Sequence, residues 1–143
     1  MTQPDQVVTG GCLCGALRYE AQGVPDMAGF CCCADCRKAS GSGYIGFMMY
    51  PAARVRIRGQ TASFASPAAS GGMAVRSSCP HCHSLVLGGV PGVDDHHTLY
   101  AGSLDDPTHF RPSMGLFNRD RPDWVCLPEG LDLFETMPDR GPR

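Results

Sequence analysis

The chain has 143 residues, enough for one domain with a buried core. Its 12 Lys and Arg residues and 14 acidic residues give a net charge of -2, which gives no support for a general nucleic-acid surface. Residues 1–10 are polar and lack the features of a secretory signal, and no run approaches the roughly 20 apolar residues that cross a bilayer. We therefore expect a cytoplasmic protein without a nucleic-acid or membrane partner.

Short strands dominate the predicted elements, because 18 Gly and 12 Pro residues are scattered along the chain. A helical turn is predicted at 35–40 and another short turn at 108–110. Small and polar residues at 65–72 predict a loop. Five segments mix β-branched, aromatic or alternating residues between turn residues, as strands do. These predicted strands are 16–20, 43–50, 55–58, 84–87 and 99–102.

The pattern predicts a single, mainly β domain over 7–135, with short antiparallel sheets and little helix. Neither an internal repeat nor a linker divides the sequence. The last residues, 136–143, contain two prolines and a glycine and are expected to form a disordered tail.

Eight of the nine cysteines fall into three clusters. In a reducing compartment, clustered cysteines are more often metal ligands or redox groups than disulfides. A tetrahedral zinc takes sulfur ligands at about 2.3 Å, so thiols this close in sequence can converge on one ion. The clusters are Cys12 with Cys14, Cys31 with Cys32, Cys33 and Cys36, and Cys79 with Cys82.

The first and third clusters together predict a closed structural zinc site. Cys79-Pro80-His81-Cys82 is a C-P-x-C knuckle, in which both sulfurs point at one ion. His83 is expected at positive φ, and His81 is expected to face solvent. Adding Cys12 and Cys14 supplies four thiolates, which would stabilise the fold by on the order of 10 kcal/mol.

The central cluster predicts a second zinc with a different character. Cys31, Cys33 and Cys36 have the spacing C-x-C-x-x-C, and three ligands leave a fourth position for water or substrate. Cys32 would alternate to the other face of an extended segment. In the alternative, Cys32 is the fourth ligand and the site is closed. We expect two zinc ions. In an alternative, the second site is partly empty in a purified sample because three ligands hold metal less tightly.

The residues around these clusters resemble the glutathione-dependent formaldehyde-activating enzyme family, also called the centromere-protein-V-like zinc domain. The resemblance covers roughly 10–134. It implies an Mss4-like fold with zinc-pinned loops, a structural zinc on Cys12, Cys14, Cys79 and Cys82, and a second zinc on Cys31, Cys33 and Cys36. The matching segments are GGCLCGALRY at 10–19, CCCADCRKASG at 31–41, CPHC at 79–82 and GSLDDP at 102–107.

This resemblance implies a carbon–sulfur lyase of the S-(hydroxymethyl)glutathione synthase type. The partners would be a small thiol such as glutathione and a small aldehyde such as formaldehyde, with Cys31, Cys33 and Cys36 as the catalytic ligands. Zinc would activate the thiol or instead polarise the carbonyl group. Two other hypotheses stay open: a non-catalytic thiol carrier or protein-interaction module on the same fold, and a thiol redox switch.

Four residues outside the clusters have simpler expected roles. Cys126 is expected to be a small buried hydrophobic residue. Tyr44, Phe47 and Trp124 could line a substrate pocket, although packing in the core is the default for aromatic side chains in strands.

Overall fold

The computed structural model describes residues 5–69 and 71–138. Within these ranges the chain has 11 strands in two sheets and one α-helix, so the expected mainly β fold with little helix is confirmed. No helix in the described ranges has the length and apolar character needed to span a membrane. The strands are β1 Val7–Gly11, β2 Arg18–Gln22, β3 Met27–Cys31, β4 Ile45–Pro51, β5 Val55–Arg58, β6 Ala62–Pro67, β7 Met73–Ser78, β8 Leu85–Gly88, β9 His96–Tyr100, β10 Met114–Leu116 and β11 Asp132–Leu133, and the helix is α1 Ala34–Ser40.

The strands form a small and a large sheet. The small sheet has the order β1-β2-β5, and the large sheet has the order β11-β10-β3-β4-β9-β8-β7-β6. Most pairings are antiparallel, but β10 runs parallel to both β3 and β11. Strand β9 lies between β4 and β8, which places its side chains near the middle of the large sheet.

Several strand boundaries differ from the predictions for local reasons. The predicted strand 55–58 coincides with β5. Strand β2 begins later than predicted because Cys12 and Leu17 close a turn, with Cys12 N donating to Leu17 O at 2.9 Å. Strand β9 ends at Tyr100 because the next residues, Ala101–Ser103, form a 3₁₀ turn.

The loop predicted at 65–72 is wrong in its first part. Residues 65–67 belong to β6, which pairs with β7. The turn is shorter and is closed by a hydrogen bond from Ala68 N to Gly72 O at 2.9 Å; residue 70 lies outside the described residues. Strand β6 ends the large sheet and its side chains are mostly exposed, so small polar residues can form it without an apolar alternation.

Each face of the large sheet has its own buried cluster, since side chains alternate along a strand. One face packs against the small sheet and forms the main core. The other face carries a smaller cluster that contains three of the central cysteines. The main core includes Val8, Tyr19, Met48, Tyr50, Leu87 and Leu99, and the smaller cluster includes Phe47, Leu116, Phe117, Cys31, Cys33 and Cys36.

The end of the described chain packs on this smaller cluster. Phe134 N donates to Gly115 O at 2.8 Å, and Phe117 N donates to Thr136 O at 3.0 Å. Met137 packs against the same cluster. Three residues of the segment expected as a tail, 136–138, are therefore described beside the sheet, and 139–143 lie outside the described residues.

Candidate metal centres and the adjoining cavity

Four cysteines from two distant segments come together beside the ends of β1 and β7. The sulfur atoms of Cys12, Cys14, Cys79 and Cys82 all lie within 4.8 Å of one another. Cys14 Sγ is 3.7 Å from both Cys12 Sγ and Cys79 Sγ. A tetrahedral zinc with Zn–S bonds of about 2.3 Å separates its sulfurs by about 3.8 Å. The spacing therefore fits one ion held by four thiolates.

The turn between β7 and β8 is shaped by amide groups that point at sulfur. His81 N and Cys82 N donate to Cys79 Sγ at 3.3 and 3.5 Å. His83 adopts a φ of 63°, as predicted, and the chain then turns back so that Cys79 N donates to Ser84 O at 3.0 Å. His81 is exposed, as expected, and is not one of the grouped ligands.

Ser84 links the two cysteine pairs of this site, a role that the sequence did not reveal. Leu13 N donates to Ser84 Oγ at 3.1 Å, and the same oxygen lies 3.2 Å from Cys82 Sγ. Hydrogen bonds from the side chain and backbone of Ser84 lower the pKa of Cys82 to about 5. The thiolate is the form that binds metal, so this contact favours binding at neutral pH.

The central cysteines converge where β3 leads into α1. Cys31 ends β3, Cys33 caps the N-terminus of α1 and Cys36 lies in its first turn. Their three sulfur atoms lie within 4.8 Å of one another. Cys33 Sγ also accepts a hydrogen bond from Cys36 N at 3.4 Å, as a helix N-cap does. This strand-to-helix transition gives three ligands that fit one metal ion.

Hydrogen bonds within this group favour the thiolate form of Cys33, while the contact with Cys33 raises the pKa of Cys31. The side chains of Cys31 and Cys36, and then the backbone amides of Cys36 and Asp35, hold the pKa of Cys33 well below that of a free thiol despite its burial. Arg76 reaches the group from β7: its Nη2 lies 3.6 Å from Cys36 Sγ, and its Nη1 donates to Ser66 Oγ at 3.5 Å. A fixed positive charge therefore stands beside the three sulfurs.

Cys32 lies apart from these three ligands. Its side chain is fully buried, and its sulfur is not within the group formed by Cys31, Cys33 and Cys36. Burial raises the pKa of Cys32, which keeps it a neutral thiol. Its backbone N donates to Leu116 O at 3.0 Å, which fixes the segment against β10. The geometry thus favours three ligands over the alternative with four.

A cavity of about 620 Å³ opens directly on the three-cysteine group. Cys31 and Cys36 line it together with Arg76. Asp94 and Asp95 lie elsewhere on its wall, so the cavity carries charges of both signs. Pockets for small molecules usually have volumes of about 300–1,000 Å³. The site combines three thiols that could hold a metal ion with room for a small polar molecule.

A second cavity, of about 650 Å³, shares Ile45 and Tyr100 with the first. Cys12 lines it, but Cys12 belongs to a group that already has four sulfurs. Its wall also includes Arg18, whose Nη1 donates to Asp105 Oδ1 at 2.9 Å. This cavity therefore does not lead to an open ligand position.

The three aromatic residues expected as possible pocket residues lie in different places. Phe47 lines the cavity beside the three cysteines. Tyr44 lines only the 650 Å³ cavity, where its ring contacts Phe30 edge-on with a centroid distance of 5.0 Å. Trp124 is 72% exposed and is not part of either wall.

The expectation that Cys126 is buried is wrong, because Cys126 is exposed. Its neighbour Val125 takes the buried position, with 5% exposure. Val125 packs so closely on Gly43 that a Cβ there would lie 2.1 Å from Val125 Cγ2. The inward position is thus occupied by valine, and the thiol faces outward.

Two residues of the central cavity were missed at the sequence level. Arg76 and Tyr100 lie in strands that are far from the central cysteines in sequence, and they reach the cavity only through the pairing of β7, β8 and β9. An arginine in a strand otherwise rich in small residues was the one available signal for Arg76.

Comparison with known proteins identifies a family. The family model described as glutathione-dependent formaldehyde-activating enzyme matches residues 7–120, which include both cysteine groups. No curated protein matches the chain significantly.

The two cysteine groups predict different consequences for cysteine loss. Cys33→Ser should lower the zinc content from two ions per chain to one, while the protein stays folded. Cys79→Ser should remove the structural ion and destabilise the fold severely, because metal binding at a closed site is coupled to folding. Elemental analysis and thermal unfolding measure both effects. Cys126→Ser is the control and should keep both ions; two ions in Cys33→Ser would contradict the assignment.

We expect the contact between Arg76 and Cys36 to strengthen metal binding at the three-cysteine group. Arg76→Gln removes the positive charge beside Cys36 and should weaken the more loosely held zinc by about 10-fold, as loss of a group that supports a ligand commonly does. Competition with a chromophoric chelator measures this affinity. Arg58→Gln, at an exposed position of β5, is the matched control. Equal affinities in the two variants would show that Arg76 does not support the site.

Proposed function

This chain belongs to the glutathione-dependent formaldehyde-activating enzyme family, and we propose that it is a zinc-dependent carbon–sulfur lyase of the S-(hydroxymethyl)glutathione synthase type. It adds glutathione or a related small thiol to formaldehyde or another small aldehyde. Cys31, Cys33 and Cys36 hold the working zinc, and the four-cysteine group holds a structural zinc. The proposed compartment is the cytoplasm, where thiols stay reduced.

One observation carries the proposal: the 620 Å³ cavity is lined by two of the three central cysteines, Cys31 and Cys36. A tetrahedral metal with three protein ligands has one position left for another group. The cavity gives a small molecule access to that position. The four-cysteine group offers no such position, because its ligand set is complete.

When bound, zinc would supply Lewis-acid activation of the incoming thiol. The protein residues hold and surround the reacting groups. Arg76 offsets the negative charge of the cysteine ligands through its contact with Cys36. Phe47 and Leu116 provide apolar surface beside the sulfurs and limit the access of water.

The reaction needs only the two substrates. The thiol loses its proton, and its sulfur forms a bond with the aldehyde carbon. The electron pair of the C=O π bond moves to the oxygen, which takes up a proton and becomes the hydroxyl of a hydroxymethyl thioether. Holding sulfur and carbon in contact contributes to the rate, since it removes the entropy cost of their encounter.

The charges on the cavity wall support a zwitterionic thiol as substrate. Glutathione carries two carboxylates and one ammonium group. Arg76 can attract a carboxylate, and the exposed Asp94 and Asp95 can attract the ammonium group. The cavity volume of about 620 Å³ is in the range of pockets that hold molecules of this size.

The proposal predicts faster exchange between free formaldehyde and its glutathione adduct in the presence of the protein. Exchange NMR with ¹³C-formaldehyde measures this rate against the spontaneous reaction. Cys33→Ser should return the rate to the spontaneous value, because the ligand set is broken. Cys126→Ser removes a thiol outside both groups and should leave the acceleration unchanged.

Two outcomes would contradict this function. Exchange at the spontaneous rate with the zinc-loaded protein would exclude catalysis of this reaction. Tight glutathione binding without acceleration, measured by calorimetry, would instead support the non-catalytic carrier. Equal acceleration by Cys33→Ser and the unsubstituted protein would exclude the three-cysteine group as the site.

A further inference from the structure

The hydroxyl group of Tyr100 reaches the cavity beside the central cysteines. Tyr100 is the last residue of β9, and it alternates with the buried Leu99, so its side chain lies on the same face as Thr98. Tyr100 and Thr98 both line the 620 Å³ cavity. In the large sheet, Tyr100 pairs with Phe47, another cavity residue. The fold therefore places this tyrosine in the wall of the proposed active site.

A gap at Gly88 makes room for this hydroxyl. A Cβ on Gly88 would lie 3.0 Å from Tyr100 Oη and 3.2 Å from Val75 O. Gly88 in β8 pairs with Arg76 in β7, and Arg76 contacts Cys36. The phenol oxygen thus lies beside Gly88, and the partner of Gly88 in the neighbouring strand is Arg76, which contacts the cysteine group.

This hydroxyl has no hydrogen-bond partner among the described residues, although two other tyrosines do. Tyr19 Oη lies 2.7 Å from Ser103 Oγ, and Tyr50 Oη donates to Gly23 O at 3.1 Å. In the described ranges, no fully buried side-chain nitrogen or oxygen lacks a partner. The unpartnered Tyr100 oxygen is therefore not fully buried, and it lies against Gly88, which lines the 620 Å³ cavity.

Electrostatics keep the hydroxyl in its donor form. Burial raises the pKa of Tyr100. A neutral phenol can donate a hydrogen bond to a developing negative charge.

We propose that Tyr100 is a catalytic residue that donates a hydrogen bond to the aldehyde oxygen while sulfur attacks the carbon. The inference rests on the proposed function and adds a residue to it. As the C–S bond forms, the π electron pair moves to the oxygen, which Tyr100 stabilises until a proton from water completes the hydroxyl. Two of the N–H groups of Arg76 are bonded to Ser66 and Cys36, and the Tyr100 hydroxyl is a neutral donor with no protein partner among the described residues.

Tyr100→Phe tests this role because it removes one oxygen and keeps the ring. Its turnover rate in the formaldehyde exchange measurement should fall on the order of 100-fold, as for loss of one donor to a developing oxyanion. The zinc content and the glutathione affinity should not change. Tyr44→Phe is the matched control, since that tyrosine lines only the other cavity, and it should keep the full rate.

The failure of this inference can be distinguished from failure of the proposed function. If the unsubstituted protein accelerates exchange and Tyr100→Phe is equally fast, the inference is overturned and the lyase proposal stands. If Tyr100→Phe weakens glutathione binding without lowering the turnover rate, the hydroxyl binds the thiol instead and the inference is again overturned. If Thr98→Val lowers the rate and Tyr100→Phe does not, the donor is Thr98. If the unsubstituted protein gives no acceleration, both proposals fail.

Discussion

The convergence of cysteine sulfurs from separate segments is the constraint on which the rest of this structure depends. Four sulfurs from the end of β1 and the turn after β7 meet within 4.8 Å, although the two segments are some 65 residues apart. The small sheet is therefore tied to the large sheet at this point, where Cys12 and Cys79 also belong to the main core. Metal coordination at such a closed site contributes directly to the free energy of folding.

The two faces of the large sheet have different contents: one carries the main core, and the other carries the candidate metal site. One face packs against β1, β2 and β5 and forms the main core. The other face carries the three-cysteine group and the cavity, with fewer buried side chains around them. Because strand side chains alternate, Leu99 stabilises the core while its neighbour Tyr100 lines the cavity. The three-cysteine group and its cavity therefore lie outside the main core.

The sequence predicted those features that depend on local spacing. The C-P-x-C turn, the positive φ of His83 and the C-x-C-x-x-C transition from strand to helix all follow from residues within a few positions of one another. Strand pairing could not be predicted in this way. Arg76 and Tyr100 reach the cavity through the order of β7, β8 and β9, and Ser84 bridges two segments that only the fold brings together. The exposure of Cys126 could not be predicted from the sequence, because the packing of Val125 on Gly43 decides whether Val125 or Cys126 faces inward.

The two proposed zinc sites differ in their sulfur ligands: four sulfurs close one site, and three leave the other open. X-ray absorption at the zinc edge measures the mean number of sulfur ligands per ion in the fully loaded protein. The account predicts a mean of about 3.5 without substrate, rising to about 4 when glutathione is added. A mean of 4 before any thiol is added would contradict it, because both sites would then already be closed.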